Sequence, residues 1–353
     1  MALRSAYRGC LLGLAAGDAM GAPVDKQTWR EILADYGPGG IQGYDLTGGG
    51  AAITSHTQLC AFTCNGLLLG QTRLRLNGRA APSARYIALS QKEWANAQRR
   101  WNTLQRTYCW VYWVEAFRSR RCADGRIMDT LLLDRIGSPE EPINRLDGAG
   151  SLTTAVAAGL FAPGDPQRLG AETVALTYGK PNAFIAGAIT ANLIGKLIQN
   201  DSLPLMRQLE MVLKEADAMF RGTYPQTLDV IRTVIRAVEL AQSGGSRQIA
   251  MEELICGNAA QVLAGAVYAL LTCNDDFDAA MITAVNHSGR SSAVAALTGA
   301  FLGAKLGIEG IPDFYLEGLE TADVLEELAE DLCAGCPVHI DLEWDRKYLQ
   351  GER

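Results

Sequence analysis

The amino-acid sequence predicts an all-α protein that folds as a compact bundle of many helices. Apolar residues recur at the three- and four-residue spacing of a helix face through most of the 353 residues, whereas alternating, strand-like runs are scarce. No fixed-period repeat is present, which argues against a solenoid. Several periodic segments are rich in alanine and glycine, and such small residues allow neighbouring helices to approach closely.

The predicted helices follow one another along the chain and are separated by turn-forming residues. Helical spacing runs through Tyr7–Ala16, Gln58–Leu69, Ala171–Leu176, Asn182–Leu197, Leu203–Met219, Gln226–Ala241, Met251–Leu271 and Ala279–Gly307. Breaks are expected at Tyr36–Gly40, Gly48–Gly50, Pro163–Pro166 and Ser243–Gly245. Since no linker divides the chain, we expect residues 1–353 to form a single domain.

Composition and charge argue against several classes of protein. Hydrophobic residues make up 48% of the chain and charged residues 20%, which is the balance of a globular protein with a sizeable core. The net charge of −7 argues against general nucleic-acid binding, because a phosphate backbone is usually met by a basic protein. Nine cysteines without regular spacing favour a reducing compartment. With no secretion signal and no apolar run of ~20 residues, we expect a cytoplasmic protein that does not span a membrane.

The stretch from about residue 73 to residue 126 differs from the rest of the chain. It is dense in arginine and contains Trp94, Trp101, Trp110 and Trp113. This mixture suits stacking on an aromatic ligand or on a protein partner. A solvated basic face on a pair of amphipathic helices would give the same pattern, so both interpretations stay open.

The first predicted helix leads into a glycine-rich segment that ends in an acid. The segment Arg8–Asp25, RGCLLGLAAGDAMGAPVD, resembles the N-terminal signature of the ADP-ribosylglycohydrolase family. Glycines 17 and 21 let the helix run into a loop with close backbone contacts. The resemblance implies that Asp25 stands at the family's acidic position, usually a glutamate, which handles the attacking water.

A second segment resembles the same family at its first metal motif. Tyr36–Asp45, YGPGGIQGYD, is similar to the loop that precedes this motif. In the family, a hydroxyl residue and two consecutive aspartates then open a helix and are followed by Thr-Gln. Here the matching positions read Thr54, Ser55 and His56, followed by Thr57-Gln58, so the hydroxyl is kept and both aspartates are replaced.

Two further segments resemble the parts of the family that contact the ligand. Glu141–Asn144 and Gly148–Ser151 are similar to a glycine-rich loop whose backbone N–H groups can hold phosphates. Ala175–Pro181 is similar to a segment in which the usual histidine is here Tyr178. The resemblance therefore implies ligand contacts at Gly148, Ala149, Gly150, Ser151 and Tyr178.

The last similar segment, Ala284–Gly289, leads to the family's second metal motif. Two aspartates separated by one residue, and then a hydroxyl residue, are usual there, but this chain has Arg290, Ser292 and Ala293. The resemblance runs from Arg8 to about Gly307 and implies the all-α ADP-ribosylglycohydrolase bundle.

The replacements at the two metal motifs change the chemistry that the site can support. Magnesium needs oxygen ligands, chiefly carboxylates, whereas serine and alanine supply no charge and His56 offers nitrogen. Arg290 would repel a neighbouring metal ion. We therefore expect no metal cofactor. Arg290 either supplies positive charge in place of the metals, by bonding to phosphate, ribose oxygens or Asp25, or simply fills space and pairs with a nearby acid.

These observations predict a catalytically inactive relative that binds an ADP-ribose-like or other nucleotide-like molecule, or a protein partner, in a remnant cleft. One alternative is an active, metal-independent hydrolase of an ADP-ribosyl or related N- or O-glycosidic bond, which uses Asp25. Another is a structural protein whose stretch at 73–126 forms the interface. The candidate ligand-binding residues are Thr54, Ser55, His56, Gly148, Ala149, Gly150, Ser151, Tyr178, Ser288, Gly289, Arg290 and Ser292.

Overall fold

The computed structural model describes residues 2–46, 49–99, 106–121, 123–161, 163–199 and 203–349. Within these ranges the chain is helical, and the one β pairing is an isolated bridge between Ala51 and Leu319. Helices α1 to α18 span, in order, Ala2–Gly21, Trp29–Tyr36, Ser55–Asn77, Ser83–Arg99, Glu115–Arg118, Gly125–Leu131, Thr154–Leu160, Pro166–Ala175, Pro181–Gln199, Leu205–Phe220, Thr227–Ser243, Arg247–Leu254, Ala259–Thr272, Phe277–Val285, Ser291–Leu306, Asp313–Glu317, Ala322–Ala334 and Leu342–Tyr348. The predicted all-α class is confirmed.

Two of the eight segments that were predicted to be continuous helices are each divided into two helices. Met251–Leu271 divides into α12 and α13, and Ala279–Gly307 divides into α14 and α15. The first division falls where Ile255 and Cys256 adopt positive φ values of 63° and 47°, which no helix continues through. Six segments each correspond to one helix, namely α1, α3, α8, α9, α10 and α11. The predicted break at Gly48–Gly50 lies partly outside the described residues.

Helices α1 and α15 make the most extensive contact of any helix pair in the described ranges. Glycines at 9, 13, 17 and 21 lie along the contacting face of α1. A Cβ atom at Gly13 would lie 2.8 Å from the carbonyl carbon of Gly299, and one at Gly21 would lie 2.5 Å from the Cα of Ser292. The two backbones therefore touch directly, and this contact fixes the end of α1 beside the start of α15.

Helix α9 is the central apolar helix of the bundle. It packs against α7, α8, α10, α13 and α15. Among the described residues it is the one helix long and apolar enough to cross a membrane, but 83% of its apolar window is buried inside the protein. Burial of this kind is what the core helix of a bundle requires, so its composition is explained by packing.

The tryptophans of residues 73–126 have different environments. Trp94 is fully buried and its Nε1 donates a hydrogen bond to Oε1 of Gln58 at 3.0 Å, so it is a core residue and does not stack on a ligand or a partner. Trp110 packs against the core, with Nζ of Lys347 at 5.6 Å from its ring centre. Trp113 is 52% exposed. Trp101, with residues 100–105 and 122, lies outside the described residues.

Candidate functional site

A cavity of about 430 Å³ opens where the end of α1 meets the starts of α3, α6 and α15 and the loop before α7. This cavity brings together most of the residues that the sequence singled out. Its lining consists of Ala22, Asp25, Lys26, Thr54, Ser55, His56, Ala123, Asp124, Arg126, Ile127, Ala149, Gly150, Tyr178, Arg290, Ser292 and Ala293.

The buried carboxylate of Asp18 holds two walls of the cavity together from behind. It accepts hydrogen bonds from the backbone N–H and the hydroxyl of Thr54 at 2.7 and 2.6 Å, and from those of Thr57 at 3.2 and 2.6 Å. The hydroxyl of Ser292 donates to it at 2.5 Å. Asp18 thus ties the start of α3 to the start of α15, and the hydroxyl protons of Thr54 and Ser292 point away from the cavity. Sequence reasoning assigned no role to this residue.

Asp25 and Arg290 lie beside each other in the cavity. Asp25 follows the short 3₁₀ turn Ala22–Val24, and its Oδ2 lies 3.6 Å from Nη1 of Arg290 and 3.8 Å from Nζ of Lys26. These distances describe ion pairs without hydrogen bonds. Its Oδ1 is buried and has no hydrogen-bond partner among the residues that the structure describes. The position of the family's acid is therefore next to a fixed positive charge.

A strained turn supports Arg290 from outside. The backbone N–H of Arg290 donates to the carbonyl of Cys256 at 2.9 Å, and a Cβ at Gly289 would lie 2.7 Å from the Cβ of Cys256. Ile255 has φ 63°, a conformation that is rare for a β-branched side chain and persists only where its surroundings hold it. On the other side, the N–H of Lys26 donates to the carbonyl of Gly289 at 3.1 Å. Arg290 is therefore fixed at its backbone on both sides.

Tyr178 forms the opposite wall together with the glycine-rich loop. The N–H of Gly150 donates to the phenol oxygen at 3.2 Å, and a Cβ at Gly148 would lie 2.9 Å from Cε1 of the ring. Burial raises the pKa of Tyr178 to about 12, so the phenol is protonated at neutral pH and is able to donate. The wall thus presents a hydroxyl donor where the family usually has a histidine.

Asp124 and Arg126 complete the cavity, and sequence reasoning missed both because they fall within residues 73–126. Asp124 caps the start of α6 by accepting from the N–H of Arg126 at 2.9 Å. The guanidinium of Arg126 also donates hydrogen bonds to this carboxylate, from Nε at 3.1 Å and from Nη2 at 2.8 Å. That hydrogen bonding holds the pKa of Asp124 below its usual range, and the charge of Arg290 contributes. The Asp-Gly pair before a helix was a signal for the cap, but not for the cavity.

Comparisons with known proteins identify the family and the fold of this chain. A sequence model of the family described as ADP-ribosylglycohydrolase matches residues 1–341. The chain belongs to the ADP-ribosylglycohydrolase family. Of the 46 solved chains that match this protein, one from an "ADP-ribosylglycohydrolase-related protein complex" has 20% sequence identity and a TM-score of 0.56. The match covers 94% of this chain and 98% of that one. At that identity the likeness shows the fold alone, and no curated protein matches.

The donor set at the two metal motifs of the ADP-ribosylglycohydrolases does not fit magnesium in this chain. Among the described residues, no group of three or more His, Cys, Asp or Glu side chains is placed to hold a metal ion. The hydroxyls of Thr54 and Ser292 donate to Asp18, and Ala293 has no donor atom. Nδ1 of His56 is buried and has no partner within the described ranges, and nitrogen is not a ligand that magnesium prefers.

Four residues expected to contact the ligand do not line the cavity. Gly148 packs on Tyr178, and Ser151 shares a hydrogen bond with Thr177. The hydroxyl of Ser288 accepts from the N–H of Trp29 at 2.8 Å, and Gly289 packs against the turn at residues 255–256. The polar groups or backbones of these residues already make contacts within the protein. We therefore assign them a role in shaping the cavity and not in contacting the ligand.

His287 has a structural role beside this wall. Its Nδ1 accepts from the N–H of Gly289 at 2.9 Å, so its Nε2 is the atom that donates to the carbonyl of Ala284 at 2.9 Å. This arrangement needs the neutral imidazole. Burial lowers the pKa of His287 to about 4.

The stability of the protein is therefore expected to fall as the pH drops from 7 to 4. His287 takes up its proton at about pH 6.5 in the unfolded chain but only near pH 4 in the folded one, so unfolding binds a proton in this range. The loss amounts to about 3 kcal/mol in the free energy of unfolding. Urea titrations at several pH values measure it. The destabilisation of His287→Gln over this range should be smaller by that amount, because its amide does not titrate, whereas the exposed His339→Gln should behave as the wild type.

Proposed function

We propose that this member of the ADP-ribosylglycohydrolase family is catalytically inactive and binds an ADP-ribose-like ligand in the cavity without a metal ion. The observation that carries the proposal is the guanidinium of Arg290, whose Nη1 lies 3.6 Å from Oδ2 of Asp25 inside the cavity. A positive charge that cannot be removed at neutral pH stands where the family motif has an aspartate.

Loss of hydrolysis follows from what the metals would have supplied. Metal ions orient a substrate and polarise the bond that breaks, and a carboxylate acting as general base does not replace these contributions. Asp25 is also paired with Arg290 and Lys26, so its carboxylate is already engaged by two cations of this chain. The remaining groups are therefore better suited to holding a ligand than to cleaving it.

Retention of binding is supported by the preformed walls of the cavity. Its volume of about 430 Å³ is comparable with that of ordinary small-molecule sites. Asp18 fixes two of the walls through five hydrogen bonds, and Tyr178 and Gly150 form the third. A ligand that enters meets groups already in place, which lowers the entropic cost of binding.

A second candidate function is metal-independent hydrolysis of a glycosidic bond of an ADP-ribosyl group. It is favoured by Oδ1 of Asp25, which is buried and accepts no hydrogen bond from the part of the chain that the structure describes. An oxygen in that state is able to accept a proton from a water molecule placed in the cavity. This candidate predicts that a hydrolysis product is released, whereas the first predicts only that the ligand is bound.

Calorimetric titration with ADP-ribose, in magnesium chloride and in EDTA, tests the first proposal. We expect the same dissociation constant in both buffers, because no metal takes part in the complex. Incubation with an ADP-ribosylated peptide, followed by chromatography, is expected to release no ADP-ribose. Tight binding only in magnesium would contradict the proposal. Release that Asp25→Asn abolishes would favour the second candidate, and absence of binding in both buffers would favour a protein partner at residues 73–126.

A further inference from the structure

We infer that the cavity binds a phosphate group directly, between the side chains of Arg290, Arg126 and Lys26 and the hydroxyl of Tyr178. The inference rests on the proposed function for the rest of the ligand, but it concerns which chemical group is recognised and by which residues. The phosphate is placed at the position of the second metal motif, beside Arg290, and is held by charged side chains.

The charges of the cavity favour an anion. Lys26, Arg126 and Arg290 line it, against the carboxylates of Asp25 and Asp124. Arg126 satisfies Asp124 through a forked pair of hydrogen bonds. Asp25 remains more than 3.5 Å from each of its two cations, at 3.6 and 3.8 Å. The side chains that line the cavity therefore carry three positive and two negative charges, while the carboxylate of Asp18 behind the wall is held by N–H and hydroxyl donors.

The guanidinium of Arg290 has donors to spare. Its side chain makes no hydrogen bond with any residue that the structure describes, and its ion pair with Asp25 is long, at 3.6 Å. A guanidinium has five N–H donors in a fixed fork that matches two oxygens of one phosphate. Its backbone is held by Cys256, so little chain entropy is lost when an anion binds.

Tyr178 supplies an independent sign that an acceptor belongs here. The residue is 1% exposed and lines the cavity, and its phenol oxygen already accepts from the N–H of Gly150. Among the described residues, nothing accepts the proton of this hydroxyl. A buried donor without an acceptor is costly, so the position favours a ligand oxygen.

A phosphate fits this set of donors better than a neutral sugar does. Its terminal oxygens accept several hydrogen bonds at once and carry charge that offsets the excess positive charge. Helix α15 adds to the same field, because its first turn, at Ser292 and Ala293, lines the cavity and the start of a helix carries partial positive charge. A neutral ribose would leave the charge of Arg290 uncompensated.

The test is calorimetric titration of the full chain with inorganic pyrophosphate in EDTA. We expect binding that weakens as sodium chloride is added, because the attraction is between charges. Arg290→Ala and Arg126→Ala are each expected to weaken it roughly 10- to 100-fold, which is the effect of losing hydrogen bonds to a charged group. The affinity of Arg290→Lys for pyrophosphate should lie between that of the alanine variants and that of the wild type. The matched control is Arg168→Ala, since Arg168 lies on α8 and pairs with Glu172 outside the cavity. Thermal melts confirm that each variant is folded.

Further titrations separate this inference from the proposed function. Displacement of ADP-ribose by pyrophosphate would identify the bound group as the diphosphate of the nucleotide. Absence of pyrophosphate binding, or unchanged binding by both arginine variants, would overturn the inference even if ADP-ribose binds. Adenosine binding as tightly as ADP-ribose would overturn it as well. Pyrophosphate binding without ADP-ribose binding would instead leave the phosphate site standing and remove the proposed ligand.

Discussion

Replacement of Gly13 by valine is expected to destabilise the whole bundle by about 3 kcal/mol or more, or to prevent folding. Any Cβ at this position would lie 2.8 Å from the carbonyl carbon of Gly299 and closer still to its oxygen. The obstacle is backbone, which cannot swing aside as a side chain can. Helices α1 and α15 would have to separate. Their separation would disturb the cavity, which lies where the end of α1 meets the start of α15.

Urea unfolding followed by circular dichroism measures this effect. If the valine variant does not fold, the stability of Gly13→Ala can be measured in its place. Alanine stabilises a helix by about 1 kcal/mol relative to glycine, and the same Cβ contact opposes this gain. The matched control is Gly222→Val, at a position where an added Cβ meets no heavy atom within 4 Å. Equal stabilities for Gly13→Val and the wild type would show that the two helices are not held by this contact.

Asp18→Ala is expected to have an effect of similar size for a different reason. The substitution leaves five donors of Thr54, Thr57 and Ser292 without their acceptor, and the three of Thr57 and Ser292 are buried. Each buried unsatisfied donor costs about 1–3 kcal/mol, so the free energy of unfolding should fall by more than about 3 kcal/mol even if water replaces some of the bonds. ADP-ribose binding should be lost as well, because the starts of α3 and α15 are no longer held together.

Asp18→Asn tests whether the charge or only the shape is needed. An amide presents two donors, and at least one of them would face the N–H and hydroxyl groups that now bond to the carboxylate. We therefore expect this variant also to be destabilised, although less than the alanine variant. Asp134→Asn is the control, since Asp134 makes only a surface ion pair with Lys92. A wild-type unfolding midpoint for both Asp18 variants would show that the network does not hold the fold.

Much of the fold was predictable because helical periodicity is a property of the local sequence. Six long segments each matched one helix for that reason. The division between α12 and α13 was missed because Ile255 and Cys256 are not residues that usually adopt positive φ, although Gly257 and the capping box of Asn258 and Gln261 mark the start of α13. Apolar residues continue at helical spacing on both sides of this turn, so the pattern crosses the break unnoticed.

The candidate site was predictable only where the family motifs lie. Resemblance brought Asp25, Thr54 and Arg290 to attention, and all three line the cavity. It gave no sign of Asp124 and Arg126, because helix α6 reaches the cavity through tertiary packing and not through a motif. Nor did it reveal that a buried carboxylate, Asp18, uses the hydroxyls of Thr54 and Ser292. Hydrogen bonds between distant segments leave no periodic signal.

The direct backbone contact between α1 and α15 also limits how such a site can diverge. Because a glycine on one helix meets a glycine on the other at Gly13 and Gly299, neither helix can slide or rotate without a collision. The distance between the end of α1 and the start of α15 is therefore inherited with the helix pair. New ligand preferences have to arise by exchanging side chains at these two ends, as at Asp25 and Arg290, while the spacing between the helices stays constant.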